Sequence, residues 1–423
     1  MSPRRRDVID PDGLTVWFED RLVGFLWRDA RGRIGFRYDD AWLTDGFRLS
    51  VRMPLRSDPF PPEAGSAHFF FANLLPEGRA RERLIRTRRI SDDDFTLLRE
   101  FGGDCAGALS ILPVEMEPSD TPEYAPLSED ELHKLILQHG RGAYARRTDA
   151  PQPRLSLAGA QDKCPVYLRN GRYALPTGTA PSSHILKFQI EGFANVPLYE
   201  AFMSRLATAI GLTTSETVLD TVRDQTFLVV SRFDRLWRNG YGTRLHQEDF
   251  LQALGRHAFQ AKYEIEGGPG FADCARLVRE HSEDPVTDLR ALVRWQIFNV
   301  LAGNSDGHAK NLALVQAQHA TNRWRLAPFY DLVCTRAIEH VDTHLAMSVG
   351  GEYQPERITR EHWQVLARES GLPPRLMLDT LADTQERLAH AFDTTREAFE
   401  AQFGPVPALQ RIRSVLHASG IAI

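Results

Sequence analysis

Eight consecutive residues of this chain, Asn304-Ser305-Asp306-Gly307-His308-Ala309-Lys310-Asn311, are too polar to be core and carry both a carboxylate and a primary amide. Asp306 and Asn311 stand five residues apart. At that separation a tight loop can offer one group to accept a hydroxyl proton and another to ligate a divalent cation through oxygen, which are the parts that phosphoryl transfer needs. Lys310 lies between them as a cation able to balance charge on a transferred phosphoryl group. Downstream, Pro328-Phe329-Tyr330-Asp331 supplies Asp331 as a second metal ligand. Taken singly, Asp306 and Asn311 are better read as turn formers with Asx-type hydrogen bonds; taken with Asp331 they favour chemistry.

The same chemistry requires a lysine for the phosphates and a carboxylate behind it. In His184-Ile185-Leu186-Lys187-Phe188-Gln189-Ile190 the apolar residues alternate, so Lys187 points away from Leu186 and Phe188. A lysine in such a strand wants an anionic partner. Glu200, at the border of the helical stripe Tyr199, Phe202, Met203, Leu206 and Ile210, is the candidate; a snorkelling lysine and a solvated glutamate explain the pair as well. A loop of small residues, Ser156-Leu157-Ala158-Gly159-Ala160-Gln161-Asp162-Lys163, could bring backbone N–H groups to phosphate oxygens, although a plain hairpin turn accounts for it too. Phe227 to Arg235 reads as a buried strand leaving towards the helical half, whose backbone could meet a nucleobase.

These groups need elements to hold them. An apolar helix through Leu292, Trp295, Ile297 and Leu301 ends at Gly303 and delivers the octet, and a hairpin of Leu312–Val315 with Trp324–Ala327 returns Asp331 to it. The first hundred residues alternate short β-like runs (Leu14 to Phe18, Leu22 to Trp27, Ile34 to Tyr38) before turning helical at Ser66. Arginines 79, 81, 83, 86, 88 and 89 follow; they read as a solvated helix face, with phosphate binding as the alternative. Pro113 to Pro126 is a Pro-rich acidic linker, after which Ser128 with Glu131 forms a capping box. Thr359 is a second expected cap, for a helix ending near Ser370. With 423 residues at about 100 to 200 per domain, two or three domains are expected. Four scattered cysteines, 51 basic against 56 acidic residues and no long apolar run point to a reducing cytosol, no membrane span and no bulk coating of nucleic acid.

In order along the chain, Leu155 to Lys163, Lys187 in His-Ile-Leu-Lys, Gln247-Glu248-Asp249, Lys262-Tyr263-Glu264 with Gly267-Gly268-Pro269-Gly270, Ser305 to Asn311 and Leu326 to Asp331 resemble the HipA family of serine/threonine kinases. These are the toxins of bacterial type II toxin-antitoxin modules. Asn73-Leu74-Leu75-Pro76-Glu77 and Gly103 to Ala108 extend the resemblance into the N-terminal part. It implies an α+β chain with a two-lobed kinase fold, related to protein and phosphoinositide kinases, behind a small β-rich N-terminal domain. The expected division is 1–125 for that domain, 126–235 for the N-lobe and 236–423 for the helical C-lobe.

The resemblance also implies ATP and Mg²⁺ as cofactors, Asp306 as catalytic base, and Asn311 with Asp331 as metal ligands. Lys187 would bind phosphate. Ala158, Gly159, Ala160, Gln161, Asp162 and Lys163 would cover the nucleotide, Ser231, Arg232 and Phe233 would meet adenine, and His308, Ala309, Lys310, Asn311 and Tyr330 would complete the pocket. Ser156 would be autophosphorylated as an off-switch. Implied partners are a HipB-like helix-turn-helix antitoxin, operator DNA reached through it, and an aminoacyl-tRNA synthetase as substrate. A small-molecule or lipid kinase on the same fold and a catalytically idle corepressor are the alternatives.

Overall fold

A computed structural model describes residues 12–119, 121–144, 153–155, 158, 159, 161–238, 241–258 and 261–423. The alternation near the N-terminus produces a meander, β1 (Leu14–Phe18), β2 (Arg21–Arg28) and β3 (Ile34–Tyr38), followed by α1 (Asp40–Asp45). Three helices, α2 (Ser66–Ala72), α3 (Gly78–Arg88) and α4 (Asp94–Phe101), precede β4 (Leu109–Pro113), which returns antiparallel to β1 and completes a sheet of order β3-β2-β1-β4. Leu14, Val16, Phe36, Phe70 and Phe71 are buried in its core; each such side chain contributes roughly 1.5–3 kcal/mol relative to exposure.

The arginine run of α3 is only partly solvated. Arg86 is exposed, whereas Arg81 donates to Asp92 and Asp94 at 2.7 Å each, and the side chain of Arg88 is 4% exposed beside Glu100 at 3.7 Å. The expected solvated face therefore gives way in part to ion pairs with buried arginines, because carboxylates just before α4 and along it face α3. Sequence periodicity marks where a charge lies on a helix and is silent on which helix packs over it.

The N-lobe is a six-stranded sheet of order β5-β7-β6-β8-β10-β9, made from β5 (Tyr124–Pro126), β6 (Lys163–Arg169), β7 (Arg172–Pro176), β8 (His184–Lys187), β9 (Thr217–Val222) and β10 (Gln225–Ser231). Two helices serve it. In α5 (Glu129–Leu137) Ser128 and Glu131 make the expected capping box, and α6 (Val196–Ala209) carries Glu200. The hairpin β11 (Arg235–Arg238) and β12 (Tyr241–Arg244) leads to the C-lobe.

There β13 (Gln247–Asp249), β14 (Ala313–Gln316) and β15 (Trp324–Leu326) form a small antiparallel sheet. Around it stand α7 (Phe250–Leu254), α8 (Phe271–His281), α9 (Pro285–Leu301), α10 (Arg360–Glu369), α11 (Pro374–Phe403) and α12 (Leu409–Ala418). Thr359 caps α10 as expected. The C-lobe core holds Trp295, Trp324 and Phe298, all fully buried. The four cysteines are buried and unpaired, and among the described residues no helix is long and apolar enough to cross a membrane.

A buried ionic hub locks the N-terminal sheet to the two lobes that follow it. Asp104, fully buried just before β4, accepts from Arg235 at 2.7 Å, Arg232 at 3.1 Å, Arg244 at 3.2 Å and Ser182 Oγ at 2.6 Å. Asp234 takes a further bond from Arg232 Nη2 at 2.8 Å and accepts Gly107 N–H at 2.7 Å. The guanidiniums hold the Asp104 carboxyl well below the usual carboxylate range although burial opposes this.

Candidate active site

A cavity of about 820 Å³ opens between the lobes. Its floor is the loop after α9. Asp306 and Asn311 are locked together there, Asn311 Nδ2 donating to Asp306 O at 3.0 Å while Asn304 Oδ1 accepts Asp306 N–H at 3.2 Å. These loop bonds engage the backbone of Asp306 and leave its carboxylate to the cavity side. With its amide nitrogen turned inward, Asn311 leaves Oδ1 as the atom to offer a cation. The Asp306 side chain is about half exposed; its Oδ1 accepts from Tyr263 Oη at 2.7 Å and lies 3.6 Å from His308 Nε2. Burial pushes His308 down to about 4, so this imidazole is neutral near pH 7.

Across the cavity, Lys187 at the end of β8 donates to Glu200 Oε1 at 2.5 Å and pairs with Asp331. Glu200 is 1% exposed and Asp331 29%, so the lysine joins a buried carboxylate to one that faces the cavity. Asp331 has φ 55, left-handed backbone that an aspartate tolerates and a bulkier residue would not. Ala158, Gly159, Gln161 and Asp162 line the cavity beside Lys163. Gly159 has φ 112, a backbone conformation that favours glycine, and Lys163 Nζ beside it donates to Ala158 O at 2.7 Å. Desolvation lowers Lys163 to about 8. Ala160 and Ser156 lie outside the described residues.

Ser231, Phe233 and Tyr330 border another part of the cavity, with the Phe233 and Tyr330 rings stacked 5.7 Å apart. Arg232 reaches the cavity wall, but its guanidinium is 1% exposed and belongs to the Asp104 hub, so only its backbone could serve a base. Two expectations are corrected. Ala309 is fully buried in the C-lobe core and does not line the cavity, because the single-turn helix Ala309–Asn311 turns it inward. Lys310 does line it, yet its ammonium is held by Asp249 at 3.0 Å, Asn73 O at 3.0 Å and Glu77 at 3.4 Å, so it is no free cation for a phosphoryl group. Tyr263, Asn73, Glu77 and Asp249 stand among the motifs quoted above, but spacing gave them no role at the site.

The residues present suit a nucleoside triphosphate with a hard divalent cation. Asn311 and Asp331 could provide oxygen ligands, and the half-buried Lys163, depressed by desolvation, would gain from an anion beside it. A two-lobed α+β chain with these groups in the cleft between its lobes has the parts that phosphoryl transfer needs.

The HipA N-terminal domain matches residues 14–112 and the HipA-like C-terminal domain residues 155–392. The putative kinase Y4mE of Sinorhizobium fredii is 36% identical over 91% of this chain and 93% of its own length. The serine/threonine-protein kinase toxin HipA of Shewanella oneidensis is 28% identical over 89% of this chain and 88% of its own. Its structure, solved in complex with HipB and operator DNA, superimposes with a TM-score of 0.81 at 26% identity and covers 96% of both chains. The chain belongs to the HipA family and is a serine/threonine-protein kinase toxin that transfers phosphate from ATP.

Proposed function

We propose that this kinase phosphorylates an aminoacyl-tRNA synthetase with Mg²⁺ as its metal, and so arrests translation as the toxin of a toxin-antitoxin pair. The observation that carries the site assignment is Lys187 between Glu200 and Asp331, in one cavity with the Asp306–Asn311 loop. Asp306 accepts the substrate hydroxyl proton; Tyr263, bonded to the same carboxylate oxygen, orients it and yields or shares that oxygen when the hydroxyl arrives. Asn311 and Asp331 hold the cation, Lys187 and Lys163 the phosphates, and Phe233 with Tyr330 the base. Bound ATP and Mg²⁺ supply the phosphoryl group and neutralise its charge.

In the same reading Ser156 is the autophosphorylated switch: about −2 of charge added beside the phosphate loop opposes ATP. The antitoxin is a HipB-like helix-turn-helix protein that carries the complex to operator DNA. A net charge of −5 fits a partner that supplies most of the phosphate contacts. Labelled ATP incubated with the chain and a cytosolic extract should transfer label to a synthetase, and mass spectrometry should place phosphate on Ser156. Label confined to lipid or small molecules would contradict the substrate class.

A further inference from the structure

Both loops of the proposed site are held from outside the kinase lobes by one short stretch of the N-terminal domain, Asn73–Arg83. Pro76 makes a parallel bridge to Gly159, and Glu77 N–H donates to Gly159 O at 3.1 Å. Arg83 pairs with Asp162, the residue before Lys163; the two side chains are 28% and 13% exposed. On the other side the ammonium of Lys310, 5% exposed, donates to Asn73 O at 3.0 Å and Asn73 Oδ1 at 3.2 Å, and stands 3.4 Å from Glu77 Oε1. Asn73 is in turn fixed to the C-lobe through its Nδ2, which donates to Arg256 O at 2.8 Å. Glu77 therefore touches both loops: its backbone holds the phosphate loop and its carboxylate faces the lysine one residue before Asn311.

We propose that Asn73–Arg83 is a positioning element of the phosphotransfer site, which sets the distance between nucleotide and base by tying the phosphate loop to the catalytic loop. The proposal deepens the function assigned above and rests on it. A stretch that merely packed two domains together would have no reason to place its polar groups on these two loops. The N-terminal domain is then part of the enzyme, and displacing it disables the site without altering any group that touches ATP. The two ties act on different quantities. Arg83 acts through Asp162 on the phosphate loop, so its loss weakens nucleotide binding; Glu77 acts through Lys310 on the catalytic loop, so its loss slows transfer from bound nucleotide.

The test uses the full chain, a fluorescent ATP analogue for affinity, and labelled ATP at saturation for the rate of phosphate transfer onto the chain itself. For Arg83→Ala the expected result is a Kd raised about tenfold with the saturated rate within about twofold, largely restored in Arg83→Lys. Asp162→Ala added to Arg83→Ala should weaken binding less than it does alone, since the two act as a pair. Glu77→Gln should lower the saturated rate about tenfold at unchanged Kd. If Glu77→Gln fails to fold, Glu77→Asp, which keeps the charge at shorter reach, should show the same loss in smaller degree. Wild-type values in the variants, or parallel loss of both quantities, would overturn the proposal. A wild-type chain that neither binds nor uses ATP would instead overturn the function assignment itself.

Discussion

Lys187 and Glu200 show what a single pair decides. The lysine side chain is 5% exposed and the glutamate 1%, so the glutamate is tolerable because of the lysine, which itself meets Glu200 and Asp331. Lys187→Met should destabilise the chain by about 3–5 kcal/mol, since it strands a buried carboxylate, and should abolish ATP binding. Adding Glu200→Leu should recover most of the stability and none of the binding. Denaturant unfolding alongside nucleotide titration separates the two effects. Lys163 makes a pH prediction. Its ammonium, depressed to about 8 by burial, is present below that pH and lost above it. The contribution of Lys163 to ATP affinity should therefore be present below that pH and fall through pH 8 to 9, whereas Lys163→Arg should remove the fall. An unchanged profile in that variant would place the titration elsewhere.

At the scale of elements, the joint between the N-terminal sheet and the kinase rests on Asp104 and its three arginines. Asp104→Asn keeps the shape and removes the charge that Arg232, Arg235 and Arg244 share; with Arg235 fully buried, the expected loss is about 3–5 kcal/mol. Calorimetry checks it, and a change under about 1 kcal/mol would mean that the hub is not needed for the joint. This hub also marks where sequence reading stops. The meander, the capping box at Ser128 and the helix that stops two residues short of Gly303 were legible because hydrophobic period and cap chemistry are local. A strand lysine and a helix acid thirteen residues apart could be paired by direction alone. The partners of Lys310 lie up to 237 residues away and those of Asp104 up to 140, and no local pattern encodes which distant loop a buried charge meets. Arg81 and Arg88 were misread for the same reason.

For the whole molecule, both family domains lie in one chain, joined across a cavity to which each contributes. The resemblance brought the roles; the structure shows where the groups stand and adds the contribution of the N-terminal domain. Everything turns on whether the loop after α9 carries out phosphoryl transfer. Asp306 is about half exposed and does not hold the fold together, so Asp306→Asn should leave unfolding and ATP binding near wild type while removing the acceptor for the hydroxyl proton. The most direct measurement is the rate of γ-phosphate transfer from labelled ATP by the wild-type chain and by Asp306→Asn. The account predicts steady transfer by the first and a loss of at least about 10²-fold in the second, in the range that general-base catalysis contributes. Undiminished transfer by Asp306→Asn would contradict it.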